Sequence, residues 1–395
     1  MKSVSLSESK FNKYGYGLFF GIILAAKMLL NMPFEYTGMS DSWSYLFYIT
    51  EYKTVGFLPR ALIGTICGFF TDYITWKTIY IISVIVTVLL IVSAAVLYNK
   101  ILTSLSEGKI AIFLFTCTFL LMSDDLFYHF DTSHIGSIDT YNLLLTFAIL
   151  ACTGHKKIRW LVPVLCTICM MNYEGYVFAF MPMVGIVLLY FCFKEKSKTN
   201  VAVFVLTCIV IIITFLYFYA FFRKGALNMV LCETPEEMKA VLSTHSDAEI
   251  NWMIEQLYFI RASTTFFTAG KWDIAGTIKN SNYVRLECLP SALVLYAGTL
   301  SIWIKAIKKE SDKNMKFIYF LCAFAPVATI PFQVFSEQMK YISYFAMSQF
   351  MLLLFFAVRE SNILDRLKEI ESKFEKNPVA GLIPMCLLMF FRALW

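Results

Sequence analysis

The chain has 395 residues, of which 58% are hydrophobic and only 16% charged, against about 45–50% and about 25% in a soluble domain. That balance excludes an ordinary soluble globular fold and points to a polytopic membrane protein. The formal net charge of +6 does not mark a nucleic-acid partner, because the Lys and Arg residues cluster at the ends of apolar runs, where they act as topology signals.

Separate apolar runs of roughly 17–25 residues are each long enough to cross a hydrocarbon core about 30 Å thick. They lack two-residue alternation, so they read as helices rather than barrel strands. The first run, 14–33, follows a tail carrying Lys2, Lys10 and Lys13 and holds Lys27 inside it, which suits a retained first helix rather than a cleaved signal peptide. With the tail in the cytoplasm, the segment FEYTGMSDSWSYLFYITEYKTVGFLPR that follows is outside. It carries Glu35, Asp41, the aromatics Trp43, Tyr45, Phe47 and Tyr48, and Arg60.

The next apolar block, 57–98, is long enough for two crossings. If both halves crossed, Lys156, Lys157 and Arg159 would lie outside and the acidic segment 123–139 inside, inverting the positive-inside bias. The first outer loop, 34–77, therefore contains an interfacial or re-entrant segment over 57–75, and only about 78–98 spans. Further spans are expected at 109–127, 139–153, 158–172, 175–193, 200–221, 286–305, 316–333 and 341–358. With a final run, 379–395, that either crosses or lies flat, the fold class is an all-α polytopic membrane protein of about 10–11 transmembrane helices. No linker or composition shift divides it, so residues 1–395 form a single transmembrane domain. The large outer loop, 222–285, carries two helix-start signals, Thr234-Pro235 and Ser246 with Glu249. Cys232 and Cys288 bracket it and are a candidate disulfide, whereas Cys166 and Cys169 on an apolar helix read as packing.

This topology gathers Glu35, Asp41, Asp124, Asp125, Asp131, His134, Asp139, Glu174 and Lys340 on the outer face. Asp139 and Glu174 stand at the edges of apolar runs, where ionised groups are costly and tend to be functional. Each carboxylate also has a plainer reading as a helix cap or a solvated loop residue. Glycosyl transfer suits such a face: a carboxylate takes the acceptor hydroxyl's proton, and a phosphate leaving group needs cationic or metal stabilisation. Arg60, His134 and Lys340 are candidates for the phosphate.

A first helix, an outer loop with an early Asp followed by aromatics, an interfacial segment, and a second acidic cluster from Asp124-Asp125 to Asp139 together resemble the GT-C superfamily of polyprenyl-phosphate-dependent glycosyltransferases. The resemblance covers about seven spans and is architectural. It implies a GT-C-like helical fold, a polyprenyl-phosphate-linked sugar donor, a glycan or lipid-linked acceptor, an inverting single displacement, and Asp41 as the catalytic base. Glu35, Arg60, Asp124, Asp125, His134, Asp139, Glu174 and Lys340 then contact substrate. The expected setting is a bacterial inner membrane, among membrane lipids and without nucleic acid, with the active face extracytoplasmic and a role in surface-polysaccharide biosynthesis.

Two features depart from the family. Asp41 is followed by Ser42 where many members have Asp-Glu, and no Trp-Trp-Asp motif is present. Whether a divalent cation, Mg or Mn, takes part is left open, since Asp124, Asp125 and Glu174 suit either an ion or hydrogen bonds to substrate. Two alternatives stand beside this reading. A Wzy-like polysaccharide polymerase would use the large outer loop, though that loop has few Arg residues. A lipid-sugar flippase or transporter would explain Lys27, but its usual internal repeat is not found.

Overall fold

The computed structural model describes residues 4–31, 46–55, 60–120, 137–173, 175–217, 235–244, 289–324 and 338–379. The described residues are all-helical. In chain order the helices are α1 (Val4–Asn31), α2 (Leu46–Ile49), α3 (Tyr52–Val55), α4 (Leu62–Gly68), α5 (Trp76–Ser104), α6 (Lys109–Leu120), α7 (Ile138–Thr153) and α8 (Leu161–Asn172). They continue with α9 (Tyr176–Ala179), α10 (Met181–Glu195), α11 (Lys198–Leu216), α12 (Pro235–Ser243), α13 (Leu289–Lys309), α14 (Lys313–Phe324), α15 (Gln338–Ala357) and α16 (Ser361–Lys376).

Contacts between neighbours show that the long helices run between two shared ends. Gly17 donates its backbone N–H to Asn99 at 3.1 Å, and Phe20 stacks on Tyr98, so α1 and α5 are antiparallel. A Cβ at Gly17 would lie 2.6 Å from that of Asn99, so a small residue is required for this close crossing. Tyr98 meets Thr116 on α6, and Asn172 at the end of α8 meets the start of α7. Phe180 packs on Tyr344 at the start of α15, while Tyr190 reaches Glu360 beyond its end. Trp303 on α13 donates to Gln349 on α15, and Tyr296 donates to the Ala323 carbonyl on α14.

One end of the bundle therefore holds the starts of α5, α7, α9, α13 and α15 and the ends of α1, α6, α8, α11 and α14. We call it the acidic end. The other, basic end collects the connections 105–108, 154–160, 196–197, 310–312 and 358–360. These carry or adjoin the Lys and Arg clusters, so the short loops sort as charge counting predicts. Helices α5 and α11 are long and apolar enough to cross a membrane by length and composition. Shorter apolar helices lie at Tyr14–Leu29, Lys109–Leu120, Ile138–Thr153, Leu161–Asn172 and Ser343–Ala357. Their outward faces carry Leu18, Ile22, Val88, Val92, Ile209 and Ile213, while Ser83, Thr87, Asn142 and Gln349 are buried between helices.

Among its described residues, the segment between α1 and α5 forms no second long helix. Its longest helix among the described residues, α4, has seven residues and spans about 10 Å, a third of a hydrocarbon core. It packs so closely on the loop before it that a Cβ at Gly64 would overlap the Thr50 carbonyl. Phe69 and Phe70, which follow it, are 82% and 86% exposed. Tyr48 ties this ledge to the bundle through hydrogen bonds to Ser83 at 3.2 Å and Tyr141 at 2.9 Å.

Several boundaries differ from the sequence expectations. Helix α1 begins at Val4 rather than at residue 14, continuing the apolar span backward through the largely polar residues 4–13. The expected 175–193 span is broken at Phe180 into α9 and α10, with a proline at the start of α10. Residues 361–376, which fall between the expected 341–358 span and the final 379–395 run, form the amphipathic helix α16, which buries Ile363 and Leu367. Pro235 is the first residue of a helix, α12, while Thr234 before it lies outside the described residues. Ser246, Glu249, Cys232, Cys288 and the 379–395 run, apart from Val379, lie outside the described residues.

Helix α16 lies across the basic end. Glu371 accepts from the backbone N–H of Gly108 at 2.5 Å and of Ile110 at 3.3 Å, capping the start of α6 from a distant part of the chain. Lys309 pairs with Asp365 and Lys305 with Glu369. Arg366 and Lys305 hold the Glu369 carboxyl down at about 2, from an ordinary 4.5. A carboxyl depressed by folding contributes stability that is present above its ordinary value and lost as pH falls toward the folded one. Glu371→Ala is expected to cost about 1 kcal/mol. Amide protection factors over α16, taken relative to the intrinsic exchange rate at each pH, should hold down to about pH 4.5 and fall as pH drops toward 2; protection factors unchanged by either treatment would show that these carboxylates do not hold the helix.

Candidate functional site

At the acidic end, Ser137 caps α7 and Asp139 lies in its first turn, where the helix dipole favours negative charge. Asp139 is 3% exposed. Its carboxylate accepts from the Tyr344 hydroxyl at 2.5 Å and the Ser137 hydroxyl at 3.1 Å. Two elements far apart in sequence, α7 and α15, thus converge on one buried carboxylate.

Asparagine residues extend this cluster to α8. Asn172 donates to the Ile138 carbonyl at 3.0 Å and to Asn142 Oδ1 at 2.9 Å, and Asn142 donates to the Cys169 carbonyl at 3.3 Å. Asn172 Oδ1 and Thr140 Oγ1 are buried with no hydrogen-bond partner among the described residues. Such atoms have spare capacity for a polar ligand or water. Next to Asn172, Tyr173 lies under the Arg60 guanidinium, 4.7 Å from the ring centroid, with Phe47 at 5.9 Å. Arg60 has a φ of 69°, unusual for a residue with a side chain. Its N–H is held by the Met171 carbonyl at 3.3 Å, so the strained backbone fixes the cation near the end of α8.

Of the residues selected from sequence, the structure thus gives side-chain surroundings for Arg60 and Asp139, both at the acidic end. Lys340 falls in the first turn of α15 at this end, and its side chain is outside the described residues. Asp41, Glu35, Asp124, Asp125, His134 and Glu174 also lie outside them. The helices flanking the Asp41 segment, α1 and α2, meet this end, as do α6 and α7, which flank Asp124, Asp125 and His134. Among the described residues no group of three His, Cys, Asp or Glu side chains is placed to hold a metal ion.

Sequence reading passed over Tyr344, Asn142 and Asn172, which carry no charge and lie within apolar helices. It also passed over Glu51, which is only 4% exposed. The Glu51 carboxylate occupies the space beside Gly68 that a Cβ would fill, and it pairs with the exposed Lys53 at 3.0 Å. That bond raises the Lys53 pKa. Comparison with protein-family models, with curated proteins and with solved structures gives no match to this chain.

Proposed function

We propose that the protein is a polytopic membrane glycosyltransferase of the GT-C kind, moving a sugar from a polyprenyl-phosphate donor to a glycan or lipid-linked acceptor on the extracytoplasmic face. The observation that carries this reading is the buried carboxylate of Asp139, hydrogen-bonded by Tyr344 and Ser137 at the end of the bundle where Arg60 also lies. A buried carboxylate at a membrane-facing edge is costly unless it serves a purpose. The apolar outward faces and the sorting of basic loops to the opposite end support the membrane setting, with the acidic end outside.

In the proposed reaction Asp41 takes the proton from the acceptor hydroxyl as its oxygen bonds the anomeric carbon. The bond from that carbon to the phosphate oxygen breaks on the opposite face, inverting the centre, and the polyprenyl phosphate leaves with the electron pair. Arg60, with Lys340 and His134, balances the charge that develops on the phosphate. Asp139 orients a sugar hydroxyl.

Mass spectrometry of surface glycans from a strain lacking the protein tests the reading. One missing sugar branch is expected. Loss of chain length would indicate a polymerase, and an accumulated lipid-linked precursor with its sugars complete would indicate a transporter. Topology is tested separately: a reporter fused after Lys157 should be cytoplasmic and one fused after Asp131 exported, and the reverse pattern would overturn the orientation.

A further inference from the structure

A cavity of about 400 Å³ lies between α1, α5, α6, α7 and α15, beginning about one helical turn from the Asp139 cluster and opening toward the basic end. Its size falls within the range of about 300–1,000 Å³ usual for ligand sites. Along α7 it is lined from Leu143 to His155, and along α15 from Met347 to Arg359. Twelve residues of helix extend about 18 Å, slightly more than the roughly 15 Å of hydrocarbon in one leaflet.

The lining is sharply divided. Toward the acidic end it consists of apolar side chains such as Leu24, Phe147 and Phe350, and at the basic end it gains Lys100, His155 and Arg359. Arg359 stacks over Phe355 at 4.0 Å and donates to the Phe355 carbonyl, leaving its remaining N–H groups free of carboxylates among the described residues. The carboxylates nearby are already engaged: Glu195 by Arg159 and Lys156, Glu360 by Lys194 and Tyr190, and Glu107 by Lys368.

We infer that this cavity is a binding site for an anionic glycerophospholipid of the leaflet at the basic end. The phosphate sits among Lys100, His155 and Arg359, and an acyl chain lies along α7 and α15. The depth of one leaflet fits an acyl chain, whereas a polyprenyl chain would overrun it. The site is separate from the proposed transfer site, which lies at the opposite end, and it depends only on the membrane setting.

The test uses the full chain in nanodiscs of phosphatidylcholine doped with a trace of phosphatidylglycerol bearing a photoreactive acyl chain, with adducts mapped by peptide mass spectrometry. Adducts are expected on 143–151 of α7 and 347–355 of α15, in excess over the lipid-facing residues Val88 and Val164. Lys100→Gln, at an exposed position, should lower their yield about five-fold, and Lys100→Gln with Arg359→Gln further. The same photoreactive chain on phosphatidylcholine should label the cavity weakly and without regard to either substitution. If Arg359→Gln fails to fold, the Lys100→Gln comparison decides alone. Equal labelling by the two lipids, labelling spread evenly over the outer faces, or a cavity labelled only by photoreactive polyprenyl phosphate would overturn the proposal. So would crosslinking that shows 380–395 filling the cavity.

Discussion

Asp41→Asn is expected to leave the protein folded and to lower sugar transfer about 100- to 10,000-fold, the contribution of a general base. An amide cannot take a proton from the acceptor hydroxyl, while its size and its hydrogen-bonding oxygen are kept. Asp139→Asn should have a smaller effect of about 10- to 100-fold, because what it removes is a charged hydrogen bond worth about 1.5–3 kcal/mol. The asparagine still offers an oxygen to Tyr344, and the helix start loses only about 0.3–1 kcal/mol of dipole stabilisation. Transfer from a synthetic polyprenyl-phosphate sugar and thermal unfolding in detergent would be measured on the same preparations. A fully active Asp41→Asn protein would remove Asp41 from the mechanism, and a fully active Asp139→Asn protein would leave Asp139 with a structural role only.

The second large effect is expected at the opposite end. Arg159 is 1% exposed and, from the connection before α8, joins three helices, α7, α10 and α11: its Nε donates to the Thr153 carbonyl at 2.8 Å, and its Nη1 to Asn200 at 2.5 Å and Glu195 at 3.2 Å. The guanidinium also stacks on Phe191 at 4.0 Å, and Asn200 donates in turn to the Phe191 carbonyl and to Glu195. Arg159→Ala takes this donor from the Thr153 carbonyl and Asn200 Oδ1, leaves Glu195 only its Asn200 and Lys156 partners, and is expected to cost about 3–5 kcal/mol. Lysine should not restore it, since one ammonium cannot reproduce the planar fork. Lys156→Ala, which removes an exposed partner of the same Glu195, should change stability by less than about 1 kcal/mol. If Arg159→Ala unfolds at the same temperature as Lys156→Ala, the junction does not hold the three helices together.

The junction also has a pH dependence. Burial pushes the Glu195 carboxyl up, but hydrogen bonds from Arg159 and Asn200 and the charges of Arg159 and Lys156 outweigh it, leaving the carboxyl below its ordinary 4.5. Its contribution is therefore complete above that value and falls away as the pH drops below it.

Which parts of this architecture can be read from the chain follows from the physics of each part. Apolar runs report helices directly, and the basic residues of 154–160 and 305–316 report which ends lie together. The short α4 was legible only through charge: its own residues are as apolar as those of a spanning helix, and only the position of Arg159 and its neighbours excluded a second crossing. Helix α16 stayed hidden because its apolar positions, Ile363, Leu367 and Ile370, are diluted by charges that resemble a topology signal. The hydrogen-bonded cluster around Asp139 was half legible. The carboxylate announces itself by its cost, while Tyr344 and Asn172 become polar partners only once α15 and α8 are packed against α7.

The cap that Glu371 places on α6 joins residues 263 positions apart, and Glu360 reaches Tyr190 across 170. At a synthesis rate of about 5–20 residues per second, the start of α6 waits roughly 10–50 s for its cap. The basic end is thus the last part of the bundle to close. A chain ending before Ser361 would resemble a late assembly intermediate, with α6 uncapped and Lys305 and Lys309 without their partners on α16, and quality-control proteases would meet it in that state.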